Sequence, residues 1–314
     1  MTSTVTKVEA KFAALVFNDY LVAQIGKVPD LPQVGNVTDR VVRILGGNPG
    51  KMQLQGTNTY LIGTGKSRIL IDTGQGCHLW VESLVRHLEE HSLEIAHVLL
   101  THWHKDHTGG LPDLVAQYPM LASQTYKNCP DLGQLPIKDG QTFSVEGATI
   151  EAVFTPGHAV DHMCFILREE QAMFTGDNVL GHGYTVIEDL GAYLTSLRYM
   201  EDQQCRAGYP GHGAKLDNLP SKIKSCINRE ELRLNQVYAI LAEKTLSRTV
   251  YQRNRPSFTN RELVTFLYGE VSDALFDMAL EPCMNRCLWK LAEDGKAAFK
   301  LIRAGRSWYA RVMM

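Results

Sequence analysis

The chain has 314 residues, 44% of them hydrophobic and 21% charged, with a formal net charge of −2. That composition is expected of a soluble globular protein with room for one large domain and an appendage, and it excludes any general attraction to nucleic acid or membrane. Seven cysteines without a CxxC pair exclude a disulfide framework in a chain this long. No apolar run approaches the ~18 residues of a membrane span. The polar N-terminus has no signal-peptide core and no Arg before Arg40, and it carries Glu9 and Asp19, so a cytoplasmic protein is expected.

In chain order, Val8, Phe12, Leu15, Val16 and Tyr20 recur at helical spacing, which predicts an amphipathic helix within 5–25. Pro29 and Pro32 end it, making 1–39 a helical arm and linker. Strands are predicted at 40–45, 59–63 and 68–74, the last a continuous apolar run of the buried kind. A helix over 79–91 precedes a strand at 96–100, and 111–118 is helical again. Strands at 142–145, 149–154, 163–167 and 172–175 follow, so 40–219 reads as an α/β domain of two sheets sandwiched between helices. From Pro220 the texture turns helical, over 222–245, 262–268 behind the capping box Thr259-Asn260-Arg261-Glu262, and 279–293. Two β-like runs at 298–301 and 307–310 complete a 220–314 module that resembles a small winged helix. Charge divides along the same line: Lys and Arg trail Asp and Glu by 16 to 24 before Pro220 and lead by 16 to 10 from there on.

The strongest chemical signal is Thr101-His102-Trp103-His104-Lys105-Asp106-His107. Four ligand-type side chains within six residues cannot share one face of a regular element, so they sit on a loop that curls round something. Imidazole and carboxylate are ligands for zinc and similar divalent ions. One cluster cannot fill two metal shells, and later strand ends supply more: His158 in Thr155-Pro156-Gly157-His158, Asp177 in Thr175-Gly176-Asp177, and His212 in Tyr209-Pro210-Gly211-His212-Gly213. On the loops nearby, Asn178 and His182 are candidate substrate-side residues, and His162 either points into the pocket as a proton shuttle or, the favoured reading, caps a turn. His78, His87, His91 and His97 read as surface or packing residues. No Ser-His-Asp pattern or phosphate loop competes.

These segments, with Leu70-Ile71-Asp72-Thr73-Gly74, resemble the metallo-β-lactamase superfamily over roughly 40–217. The resemblance implies an αββα sandwich with a binuclear site. One ion would be held by His102, His104 and His158 and the other by Asp106, His107 and His212, with Asp177 bridging. Asp106 and Asp177 are the implied catalytic carboxylates, and Asp72 orients the loop without binding metal. Two divalent ions, zinc or manganese, would activate water and polarise a carbonyl or phosphoryl oxygen.

The longer phrases at 48–61, 101–110 and 173–183 resemble the lactamase-β-like subgroup. The stretch 161–167, the loop 178–183 and the N-terminal helix resemble its fungal thioesterases, which release aromatic polyketides from non-reducing polyketide synthases. That family implies an acyl thioester on an acyl carrier protein, released by hydrolysis or Claisen-type cyclisation. A thioester suits a site without an obvious general acid, because a thiol of pKa about 8.5 leaves unaided. The alternative within the subgroup is a single-strand endoribonuclease with a winged-helix-like tail. The acidic N-terminal part and the lack of an aromatic-plus-basic stretch argue against nucleic acid. A non-enzymatic scaffold would need lost ligand positions, and none is lost.

Overall fold

The computed structural model describes residues 28–50, 52–249, 256–303 and 305–311, so the helix expected within 5–25 lies outside the described residues. The chain divides into two compact units, one formed by the described residues up to Cys226 and one by those from Ile227 onward.

The first unit opens with β1 (Val34–Asn36), β2 (Val41–Leu45), β3 (Asn58–Ile62) and β4 (Ser67–Ile71), paired antiparallel in order. Helix α1 (His78–Glu90) crosses to β5 (Glu94–Leu99), parallel to β4. The short α2 (Lys105–Thr108), α3 (Leu111–Gln117), β6 (Thr125–Lys127) and β7 (Leu135–Pro136) complete a seven-stranded sheet. The second sheet holds β8 (Thr142–Val145), β9 (Ala148–Phe154), β10 (Met163–Leu167) and β11 (Ala172–Gly176). After α4 (Leu190–Asp202), β12 (Ala207–Pro210) joins β11 in parallel. Both sheets are therefore mixed.

Two cores explain this layering. Ile69 and Ile71 on one face of β4 meet Phe143, Ile150, Phe165 and Phe174 of the second sheet, while Leu70 on the other face packs with Trp80, Leu84 and Leu114 under the helices. A strand buried on both faces must be apolar throughout, which is why this stretch is a continuous hydrophobic run. On the outer face of the second sheet, α4 buries Tyr193, Leu194, Leu197 and Met200, and Met200 lies 4.0 Å from Cys164 of β10. Asp189 caps α4 by accepting from Ala192 N–H. Asn58 ties the two sheets together: its amide donates to the carbonyls of Pro210 and Gly213, each at 2.8 Å.

Helix α5 (Leu219–Thr249) carries the chain into the second unit. There α6 (Asn260–Tyr268) begins at the expected capping box, with Thr259 and Glu262 exchanging side-chain and backbone bonds. A π-helical turn at Phe276–Leu280 runs into α7 (Glu281–Glu293). The antiparallel hairpin of β13 (Ala297–Ile302) and β14 (Gly305–Ala310) follows, and Phe258 bridges to Trp308 beside it. Among the described residues, no helix is long and apolar enough to cross a membrane.

Candidate metal centre

β5 delivers Thr101 and His102 past its C-terminal end, and Asp72 stands at the matching end of the neighbouring β4. Asp72 has a left-handed backbone (φ 61°) and is 1% exposed. Its carboxylate accepts from Thr101 N–H at 2.8 Å, from Thr101 Oγ1 at 2.9 and 3.1 Å, and from His107 Nδ1 at 2.7 Å. Because the Thr101 hydroxyl donates to Asp72, it must accept from His102 Nδ1, 2.9 Å away. Asp72 thus fixes two tautomers, and both His102 and His107 turn an Nε2 lone pair into the site.

His158 follows β9. Its Nδ1 donates to Val186 O at 2.7 Å, leaving Nε2 as a third lone pair. That atom lies 3.2 Å from His102 Nε2 and 3.0 Å from His104 Nδ1, and the latter is 2.9 Å from His102 Nε2. One shared proton can satisfy only one pair in this triangle; a cation satisfies all three. Opposite, His212 Nε2 sits 3.3 Å from Asp106 Oδ2 and 3.2 Å from Asp177 Oδ2. Asp177 Oδ1 is 3.4 Å from His107 Nε2, and its Oδ2 is 3.7 Å from His158 Nε2, so one carboxylate faces both groups. His107 Nε2 and Asp177 Oδ1 are buried without hydrogen-bond partners. Buried donors and acceptors are normally satisfied, so these orphans fit an ion.

The electrostatics agree. Burial opposes the charge of Asp177, yet His212 and His107 hold its carboxyl well below the usual range. Burial likewise opposes protonation of His212, but Asp177 and Asp106 pull it up to about 9. His158 is lowered to about 4 by burial, against the nearby Asp177 charge. The donor set is five imidazoles and two carboxylates without a thiolate, which suits zinc or manganese.

All seven ligand-type residues named from the sequence meet here, arriving from the ends of strands in both sheets. Glycines make room for them: a Cβ on Gly211 would stand 2.3 Å from Asp177 Oδ1, and one on Gly176, itself at φ 48°, 2.5 Å from His162 Nε2.

Two of the loop candidates, His162 and Asn178, are internal. His162 is fully buried. Its Nδ1 donates to Thr155 Oγ1 at 3.1 Å and its Nε2 accepts from the N–H of Asp177, so the ring positions the aspartate's backbone. Asn178 is also fully buried; its side-chain amide donates to Thr155 O and its backbone carbonyl accepts from Tyr193 OH. His182 remains half-buried on the glycine loop, whose Gly181 N–H donates to His212 O. Three neighbours had no sequence signal. Gln53 donates to Asp106 Oδ2 at 3.3 Å, Thr185 Oγ1 lies 2.9 Å from His158 Nδ1, and Asp161 Oδ1 accepts from Trp103 N–H at 3.3 Å.

A model of the Metallo-beta-lactamase superfamily matches residues 53–122. The chain is 56% identical to the Lactamase-like protein adaB of Aspergillus niger over 95% of each. It is 50% identical to the Atrochrysone carboxyl ACP thioesterase of Aspergillus chevalieri, over 96% of this chain and 97% of that protein. The chain belongs to the fungal lactamase-like proteins of the metallo-beta-lactamase superfamily. A solved beta-lactamase domain protein from Burkholderia ambifaria shares the superfamily fold, with a TM-score of 0.68 at 17% identity over 90% of this chain and 95% of that one. The His and Asp clusters of this lactamase-like protein are those of a binuclear metal site.

Proposed function

We propose that this chain is a binuclear metal-dependent thioesterase that releases an aromatic polyketide from the acyl carrier protein of a non-reducing polyketide synthase. The observation that carries the reading is the convergence of seven His and Asp side chains on one buried focus, in a chain half identical over nearly its full length to a relative named as an ACP thioesterase. His102, His104 and His158 would hold one ion, Asp106, His107 and His212 the other, and Asp177 both. Zinc and manganese each suit these ligands. When bound, the ions supply Lewis acidity to a carbonyl oxygen and lower the pKa of water.

The chain's own residues do the rest. His102, His107 and His212 are closed off from solvent, whereas His104 and Asp106 are half-open, so the substrate approaches over those two. Trp103, Val160 and Val186, 50%, 69% and 40% exposed, stand near that approach as apolar surface for an acyl chain. Water attacks the thioester carbonyl, the C–S bond breaks, the carrier leaves as thiolate and a free acid forms. With a carbon nucleophile of the chain in place of water, the same cleavage closes a ring. The thiolate needs no strong acid to depart.

The second unit, helices followed by a hairpin with Phe258 bridged alongside, supports a winged-helix-like module that docks the carrier. Seven free cysteines suit the cytoplasm. The test is mass spectrometry of acyl carrier thioesters before and after incubation with the metal-loaded enzyme in ¹⁸O-labelled water. Loss of the acyl mass with label in a carboxylic acid is expected, and Asp177→Asn should lose turnover far more than folding stability. An unchanged thioester would refute the reading; an unlabelled cyclic product would select ring closure.

A further inference from the structure

At the other end of the first sheet, where β4 and β5 begin, lies a solvent-open cavity of about 870 Å³. At ~3.3 Å per residue, Arg68 stands roughly 13 Å along β4 from Asp72, so this cavity is separate from the metal centre. Its volume falls in the range of small-molecule sites. The floor is apolar, made by Val42, Leu61 and Leu93 beyond the last turn of α1. The wall carries Arg68, His87 and His91.

Arg68 is the informative residue. It shares a face of β4 with Leu70, which packs under α1, so its side chain projects on the cavity side. One terminal nitrogen donates to Thr64 O at 3.3 Å, while Nε is buried and has no hydrogen-bond partner. No carboxylate lies within ion-pair distance of it among the described residues, although Glu146 acts on it from further away. Nε is closed off from a ligand as well as from solvent, so the outer guanidinium nitrogens, which meet only Thr64 O among the described residues, are the donors open to one.

Neither of the other charges on the lining is paired with Arg68. Lys66 is engaged by Glu94 at 3.1 Å, and Asp39 is the carboxylate on the lining. His87 and His91 stack with centroids 4.4 Å apart, and His91 Nδ1 meets His87 O at 3.0 Å. Burial, with His91 and Arg68 beside it, depresses the His87 pKa against the pull of Glu90. His87 is thus a neutral hydrogen-bonding group at pH 7.

We propose that this cavity binds an amphipathic organic monoanion, with its carboxylate on the planar fork of Arg68 and its apolar body on Val42, Leu61 and Leu93. Arginine matches a carboxylate through two parallel bonds, which a hydroxyl cannot reproduce. The assignment is independent of the reaction at the metal centre.

The test is isothermal titration calorimetry of the metal-loaded full chain with octanoate, octan-1-ol and acetate as probes. Saturable one-to-one binding of octanoate is expected, at least tenfold tighter than either octan-1-ol or acetate. Arg68→Gln should weaken it at least tenfold. His91→Trp, at an exposed position on the wall, should obstruct the cavity and do the same without risk to the core. Octanoate binding of wild-type strength in either folded variant would place the ligand elsewhere, at the metals for instance, and overturn the proposal. So would acetate binding as tightly as octanoate, or no saturable heat at all.

Discussion

Asp72 shows how much one side chain can organise. It adopts a backbone conformation that few residues other than Gly, Asn and Asp tolerate, and from there it accepts from Thr101 and His107 together. Asp72→Asn keeps the shape and the backbone preference but replaces an acceptor with a donor. We expect metal affinity to fall by about 10–100-fold with the fold intact, measured by competition with a chelator alongside circular dichroism; wild-type affinity would show that the tautomers are set elsewhere. Trp103 makes a different test. Its ring meets His104 edge-on with centroids 4.4 Å apart. If it supports an aromatic acyl chain, Trp103→Ala should raise KM about threefold to tenfold, the equivalent of ~0.5–1.5 kcal/mol for an aromatic pair, with kcat and bound metal retained and Trp103→Phe intermediate. Equal KM values across the three proteins would remove Trp103 from substrate binding. His158, Asp177 and His212 were legible because each sits beside glycine at the end of an extended run, and the other four because they crowd into one six-residue loop. Gln53, Thr185 and Asp161 were not, since each gains its role by folding against a residue far along the chain. The place of His162 was left open for the same reason: whether it faces the mouth or the interior depends on Thr155 N–H pairing with His162 O, which no local pattern encodes.

Elements fared according to how much of their own burial they carry. β4, β9 and β10 are apolar in themselves and were legible, as were the capped α6 and the C-terminal hairpin. β1, β6 and β7 are two or three residues long and exist by pairing with a neighbour. Helix α4 went unread despite Asp189 at its N-cap. It is nonetheless central to the site, because Gly157 O accepts from the N–H groups of Glu188 and Asp189 at 2.8 and 3.0 Å. Gly157 has φ 137°, and a Cβ there would stand 2.4 Å from the Tyr193 backbone. Gly157→Ala therefore strains the turn and pushes α4 from the sheet. Urea unfolding should report a loss of at least ~2 kcal/mol, and His158, the next residue, should bind metal poorly. A variant as stable as the parent would mean that α4 shifts freely, contrary to the packing of Tyr193.

At the scale of the whole molecule, charge is divided as the sequence indicated, and Lys300, Arg303 and Arg306 lie on or beside the β13–β14 turn of the second unit. Charges at the edge of a contact tune encounter more than chemistry. Replacing these three by Glu should raise KM for a carrier-bound thioester and leave hydrolysis of a small free thioester unchanged. Equal loss on both substrates would instead point to damage in folding.

The bridge between Thr57 and His212, with Asn58 holding Pro210 and Gly213, has a consequence in time. On the ribosome the chain appears N-terminus first, so the histidines of the 102–107 loop emerge more than a hundred residues ahead of His212. Until β12 has docked beside β11, an ion can be gripped only by a partial cage. Its full set of ligands closes when the second sheet is finished and fastened to the first. Completion of the candidate ligand set is thus a late event in the birth of each molecule, because it waits for the last strand of the first unit.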